Sequence, residues 1–308
     1  MELVTGEVET GDLRFVFDRC LKLEFHGSRV SSDAGLLASR ELDDALGMTE
    51  MAGQVLAGLR TGKNIYRSLM AQFRQSVFGR LDGYDDVNDA DRLGHDPAMR
   101  WIVGGSAVTK EAGSTSKMGR FETEVLTGKA NLAAMADLSG TWIDAVHARR
   151  PTNVVVLDMD SSVSPTYGRQ EGTAYNGHFG CTCYHPLFVF NQFGDLERAA
   201  LRSGNVHSAD DWRSVLEPVV ARYLDRTKRR FFRGDAAFAP PDLYDFLEAE
   251  GYNYTIRLKA NAVLQRHIAH LLRPTVGRPP MQLQRCHASL GYQAGSWCRK
   301  RRVVAEVE

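Results

Sequence analysis

No run of apolar residues in the 308-residue chain approaches the roughly 18 that a membrane-spanning helix needs. The opening stretch, Met1 to Asp18, is acidic and lacks the basic-then-apolar order of a secretory signal, so a cytoplasmic location is expected. Cysteine is scarce: five residues, odd in number and scattered, exclude a disulfide scaffold and read as reduced thiols. No fixed-period repeat occurs, which excludes a solenoid. Net charge is absent, with 38 basic against 38 acidic residues. That excludes a uniformly basic nucleic-acid coat but leaves room for local patches. Lysine is also sparse, 8 residues against 30 arginines. Arginine suits bidentate phosphate and base contacts, although a GC-rich genome produces the same bias. What remains is ordinary globular composition, 43% hydrophobic and 25% charged, at a length that suits about two domains.

The first 150 residues read as mainly helical. Ser31, Ser32 and Asp33 offer caps, Ala38, Leu42 and Ala45 keep helical spacing, and Gly47 can end that helix. Ile65, Leu69, Phe73 and Val77 recur every four residues and predict an apolar helix face ending at Gly79. Asp96-Pro97 is a cap followed by a first-turn proline. Ser114 to Ser116 begins a further short helix through Phe121.

The pattern changes at Pro151. Val154 to Asp160 is a β-branched run tipped by acids, followed by a loop containing Pro165, Gly168 and Gly172. Cys183 to Phe190 and Glu197 to Leu201 predict a hairpin, and Trp212 to Leu224 a helix with Val215, Val219 and Tyr223 on one face. Arg230 to Arg233 predicts a strand ending at Gly234-Asp235, Pro241 to Glu250 a helix, and Tyr254 to Leu258 another strand. Beyond Arg273 the sequence turns rich in proline and arginine, and Val303 to Glu308 resembles the start of a strand.

Two strands therefore end in carboxylates, Asp160 with Asp158 before it, and Asp235. Strand periodicity puts residues 158 and 160 on one face. The order of elements is that of an RNase H-like sheet, in which the first and fourth strands are neighbours. Paired carboxylates suit magnesium, a hard cation that prefers oxygen. Two such ions can activate a water and stabilise the leaving oxygen of a phosphodiester. Solvated strand-end aspartates are the plain alternative.

Several blocks then become specific. Leu157-Asp158-Met159-Asp160-Ser161-Ser162, Pro165-Thr166-Tyr167-Gly168-Arg169-Gln170-Glu171-Gly172 and Tyr175-Asn176-Gly177-His178 resemble the first catalytic block of bacterial insertion-sequence transposases of the DDE group, most of all the 1380 family. Arg233 to Phe238 resembles the second block, Tyr254 to Asn261 the strand after it, and Leu201 to Asn205 also fits. Tyr84 to Asp89 and Leu93 to Pro97 resemble the family's leader. The resemblance implies an α/β protein: an RNase H-like mixed sheet flanked by helices, preceded by a mainly helical domain. It implies a helical DNA-binding domain over 1–150, part of the catalytic core over 151–272, and the start of a strand-rich insertion over 273–308. It implies metal-dependent cleavage and strand transfer of insertion-sequence ends, with Asp160 and Asp235 as catalytic, metal-binding acids. Magnesium or manganese would be the cofactor. Double-stranded DNA, terminal repeats and target, would be the partner, with the protein assembled on paired ends as a homodimer. Family members carry a later catalytic glutamate; no match to it is found, so a truncated, weakly active or inactive form is expected. A non-enzymatic DNA-binding remnant, and a metal nuclease that recruits another third acid, are the alternatives.

Other segments imitate sites. Arg222, Arg226, Lys228, Arg229, Arg230 and Arg233 form a basic run suited to phosphate contact or to a solvated helix end. Gly58 to Asn64 imitates a phosphate loop but is one residue short, with Asn64 in place of the hydroxyl. Asp85, Asp86, Asp89 and Asp91 imitate a calcium loop, but its last ligand position is Pro97. His178, Cys181, Cys183 and His185 have zinc-like composition without a second cysteine pair; a buried strand with free thiols is the default. Gly277 to Pro280 suits a minor-groove contact or a linker.

Overall fold

A computed structural model describes residues 13–18, 20–23, 33–58, 63–271 and 285–307. The middle of the phosphate-loop imitation and the whole Gly277 to Pro280 segment lie outside the described residues, as do Ser31 and Ser32. The chain divides into two compact units, Met1–Pro151 and Thr152–Glu308.

Among its described residues the first unit holds a short antiparallel pair, β1 (Leu13–Arg14) and β2 (Lys22–Leu23), and seven α-helices. These are α1 (Leu36–Leu46), α2 (Met48–Val55), α3 (Lys63–Leu81), α4 (Ala90–His95), α5 (Pro97–Val103), α6 (Thr115–Arg120) and α7 (Lys129–Arg149). Helix α1 starts later than its serine caps suggested: Gly35 precedes it without a side-chain cap, and Gly47 ends it in the left-handed region. Asp96 caps α5 by accepting from Met99 N–H at 2.8 Å, with Pro97 in the first turn. The helix expected to stop at Gly79 runs on to Leu81. Leu69 and Phe73 from α3 join Ala52, Met118, Phe121 and Leu138 in one apolar cluster, while Phe78 joins Leu36, Leu93, Met99 and Ile102 in another. Between them lies a buried polar knot. Asp43 accepts from the Thr49 backbone N–H at 2.9 Å, and Arg74 donates to Thr49 Oγ1 at 2.9 Å and to the Val103 carbonyl at 3.3 Å. Burial, and after it the charge of Arg40, lowers the pKa of Arg74, and Asp43 opposes that fall.

The second unit is built on a mixed five-stranded sheet. Its strands are β3 (Val154–Ser161), β7 (Leu187–Phe190), β8 (Leu196–Ala200), β9 (Arg229–Gly234) and β10 (Asn253–Ile256), in the order β10-β9-β3-β7-β8. The first and fourth strands of the expected series, β3 and β9, are parallel neighbours, with Val154 opposite Arg229 and Met159 opposite Gly234. Strand β3 alternates strictly: Val155, Leu157 and Met159 are buried, and the residues between them are not. That face packs on α8 (Trp212–Tyr223) and α9 (Pro241–Ala249) through Val215, Leu216, Val219, Leu243 and Leu247. Burying five such side chains contributes about 1.5–3 kcal/mol each.

The segment from 162 to 184, read as a loop and the start of a long strand, is instead a separate sheet. Strands β4 (Ser164–Pro165), β5 (Ala174–Asn176) and β6 (Cys181–Tyr184) pair in the order β4-β6-β5. His185-Pro186 breaks the run, because proline removes a ladder donor. The loop after β8 locks this sheet down. Arg202 donates through Nε to the His185 carbonyl at 2.9 Å, and Asn176 donates to the Gly204 carbonyl at 2.6 Å. A Cβ on Gly204 would sit 2.4 Å from the Cys183 carbonyl oxygen and 2.5 Å from that of Ala174, so only glycine fits.

A helix not expected from the sequence, α10 (Ala262–Ile268), follows β10 and is capped by Asn261, which accepts from Val263 and Leu264 N–H. The strand foreseen near the end of the sequence is β12 (Arg301–Val307), paired antiparallel with β11 (Cys286–Tyr292). This hairpin is fastened to α9 by Arg301, which is buried and donates to Glu248 Oε1 at 2.9 Å and to Asp245. Tyr254 donates to the same Glu248 oxygen at 2.7 Å, and Arg299 to the other at 2.8 Å. The Arg301 guanidinium also lies over the rings of Tyr244 and Trp297. Burial pushes the Glu248 pKa up, but the hydrogen bonds from Arg301, Tyr254 and Arg299 outweigh it and hold the carboxyl at about 2.

A depressed folded-state pKa means that stability is present above the unfolded value and is lost as pH falls through the folded one. The ion-pair contribution of Glu248 should therefore be complete at neutral pH and fade from about 4.5 toward about 2. Glu248→Gln should lower the urea midpoint at pH 7 and flatten its fall across that acid window. Parallel pH profiles of wild type and variant would show the clamp to be unimportant.

Candidate active site

The site is assembled by the β3–β9 pairing. Met159 and Gly234 are partners, so Asp160 and Asp235 are the next residues outward on neighbouring parallel strands. Neighbouring strands lie about 4.8 Å apart. Both aspartates are exposed. Asp160 Oδ1 accepts from Ser161 N–H at 2.8 Å. Asp235 Oδ1 accepts from Ala237 N–H at 2.8 Å and so caps the turn Ala236–Phe238. In each carboxylate the other oxygen carries no protein hydrogen bond among the described residues. Gly234 permits the tight turn: a Cβ there would meet the side chains of Phe238 and Phe232 at 3.1 and 3.2 Å.

Asp158 shares the face of Asp160 but has a different occupation. It lies opposite Arg233, whose Nε donates to Asp158 Oδ1 at 2.6 Å while Nη2 binds the second oxygen. That fork occupies both oxygens. The same bond raises the pKa of Arg233. Two further glutamates of this unit are also engaged. Glu248 is in the hairpin clamp, and Glu306 faces Arg285 at 3.6 Å and His287 at 3.9 Å. Among the described residues no group of three or more His, Cys, Asp or Glu side chains is placed to hold a metal ion. Cys181 and Cys183 share a face of β6, and His185 Nδ1 lies 3.1 Å from the Val206 carbonyl.

The six basic residues are not brought together. Strand β9 runs from Arg229 to Gly234, so Arg229 lies about 20 Å from Asp235 along the strand. Arg222 pairs with the buried Glu197 at 2.9 Å, and Arg230 donates to the Leu224 carbonyl at 3.0 Å. Arg233 is held by Asp158, whereas Arg226, Lys228 and Arg229 are exposed. Sequence reading missed the Arg233–Asp158 fork, because nothing in the sequence reveals the register of two strands separated by 75 residues. It also missed the structural use of Arg202 and Gly204.

The sheet order, the β3–β9 register and the acid pair are those expected of a DDE core. The family described as transposase DDE domain group 1 matches residues 13–308. The chain belongs to this family. The fold is the RNase H-like one of DDE transposases, a mixed sheet flanked by helices. No curated relative matches the chain. Among solved structures, it is similar to the piggyBac transposase in a synaptic complex with hairpin DNA, at 15% identity and a TM-score of 0.37, over 90% of this chain and 61% of that one. It is also similar to the Mos1 transposase in its paired-end complex with the left transposon end, at 15% identity and a TM-score of 0.23, over 77% and 62% of the two chains. The DDE chain thus spans about three fifths of the length of these two transposases.

The Arg233–Asp158 pair and the Asp235 cap should respond differently to truncation. Arg233→Ala breaks an exposed pair and should shift stability by less than about 1 kcal/mol. Asp235→Ala removes a turn cap and should cost about 0.5–2 kcal/mol. Urea melts showing the reverse order would contradict this division.

Proposed function

We propose that the chain is a DNA transposase of the 1380 type, acting on insertion-sequence ends, with Asp160 and Asp235 as the acids that hold a divalent cation. The observation that supports this reading most is the register that pairs Met159 with Gly234, so that Asp160 and Asp235 are the next residues at the ends of neighbouring parallel strands. Their donor set is all carboxylate oxygen, with one oxygen of each turned to no protein donor, which fits magnesium or manganese. When bound, such a cation polarises a phosphodiester and lowers the pKa of an attacking water. The chain's own residues hold the carboxylates in place: Ser161 and Ala237 N–H fix one oxygen of each, and Arg233 keeps Asp158 from the cation. The metal-nuclease alternative needs a third acid, and the ion pairs of Asp158, Glu248 and Glu306 speak against each of them. Two carboxylates supply only part of a ligand shell, so we expect cleavage by this chain alone to be weak. Lys228 and Arg229 serve, in this reading, as phosphate contacts remote from the chemistry, and the helical unit 1–151 contributes to end binding.

Manganese bound to the protein, counted by electron paramagnetic resonance, should disappear in Asp160→Ala and in Asp235→Ala and persist in Asp158→Ala. Loss in Asp158→Ala alone would reassign the site. Affinity for duplex DNA should fall steeply with salt, by a slope of about 0.9 per phosphate neutralised. Charge reversal at Lys228 and Arg229 should weaken binding to all sequences alike and reduce that slope; an unchanged slope would remove them from the interface.

A further inference from the structure

The two aspartates at the strand ends have a third neighbour. Strand β10 pairs in parallel with β9, with Thr255 opposite Arg233 and Ile256 opposite Gly234. The N–H of Arg257 donates to the Gly234 carbonyl at 3.2 Å, which carries the contact one residue past Ile256. On its other side Gly234 lies opposite Met159. Arg257, Asp235 and Asp160 are therefore the next residues outward on three neighbouring parallel strands, which lie about 4.8 Å apart.

The three residues also share a face. Tyr254 and Ile256 pack against the apolar core, as Phe232 does on β9 and Leu157 and Met159 do on β3. Alternation turns the residues between and after them the other way. Thr255, Arg233 and Asp158 form one row there, and Arg257, Asp235 and Asp160 the row beyond it. The Arg233–Asp158 fork lies across this same face. All three members of the outer row are exposed.

Charge in the outer row is unbalanced. Two carboxylates stand beside one guanidinium, and the strand neighbour of Asp160 on its far side is the apolar Phe188. Arg233, one row inward, is taken up by Asp158. The Arg257 side chain makes no hydrogen bond or ion pair among the described residues, although its backbone is bonded to the residue before Asp235. Its planar fork of donors is therefore uncommitted, and such a fork matches the paired oxygens of a phosphate.

We propose that Arg257 is the phosphate-binding cation of the Asp160–Asp235 site, its guanidinium donating to the non-bridging oxygens of a DNA phosphodiester docked at the two acids. This rests on the DNA reading of the preceding subsection and deepens it. It adds a residue that touches the reacting group, and it gives the site a direction, with the phosphate charge toward β10 and Phe188 on the opposite side. A fixed cation beside Asp235 also opposes the binding of a metal ion, because like charges repel. Removing its charge should therefore act with opposite signs on the two ligands, tightening manganese and weakening a phosphodiester.

The test uses the full chain, manganese counted by electron paramagnetic resonance, and the dinucleotide TpT, the smallest DNA phosphodiester, whose phosphorus resonance broadens when it binds beside manganese on the protein. Wild type should bind both. Arg257→Gln should hold manganese about twofold more tightly or better at low salt, and TpT about tenfold more weakly. Arg257→Lys, which keeps the charge without the fork, should hold manganese as wild type does and TpT with intermediate affinity. The side chain is exposed and unpaired among the described residues, so both variants should melt with wild type in urea. Unchanged TpT affinity in manganese-loaded Arg257→Gln would overturn the assignment and leave the acid pair standing, as would a wild type that binds manganese but not TpT. Loss of manganese together with TpT in Arg257→Gln would make Arg257 a support of the acids rather than a phosphate ligand, and the assignment would again fall. A wild type that binds no manganese would overturn both readings.

Discussion

Everything at the candidate site depends on the parallel pairing of β3 with β9. These strands come from segments about 75 residues apart, joined through a small sheet, a hairpin and α8. Their register fixes at once which residues become neighbours: Asp158 with Arg233, and, one pleat outward, Asp160 with Asp235. A slip of a single residue would turn every side chain of one strand to the opposite face. The slip is resisted by the buried alternation Val155, Leu157, Met159 against α8 and α9. The core therefore holds the register, and the register holds the acids.

The parts of this arrangement that are local in sequence were legible. A β-branched run announced β3, capping announced α5, and four-residue spacing announced α3. The neighbour relation of the first and fourth strands followed from element order and was correct. What escaped notice depends on long-range partners. The sheet β4-β6-β5 was hidden because its strands are two to four residues long, below the length at which alternation can be recognised, and because glycines suggested a plain loop. Arg233 read as one of six phosphate contacts, since a run of basic residues along a chain does not reveal that a strand carries its two ends apart. The Glu248–Arg301 clamp joins residues 53 apart and leaves no local sign.

The same unit uses arginine in two physically distinct ways. Arg202 and Arg301 are buried and spend their donors on carbonyls and carboxylates of the fold. Arg169 and Arg229 are exposed, and Arg229 stacks over Phe231 with its charge left to solvent. The excess of arginine over lysine thus has a structural component. The planar fork satisfies several acceptors at once, as Arg202 does with His185, His207 and Ser208, where an ammonium would serve fewer.

The half-committed state of the two aspartates has a consequence of its own. Each ties one oxygen to a backbone N–H one or two residues ahead, so its side-chain torsions are set during folding rather than on ligand arrival. The conformational entropy of two carboxylates, which an exposed pair would otherwise lose on capturing a cation, has already been given up. The donors are then only as well aimed as the first turn after each strand. Warming or mutation that frays Ser161–Ser162 or Ala236–Phe238 would loosen the acids while the sheet beneath them stayed whole.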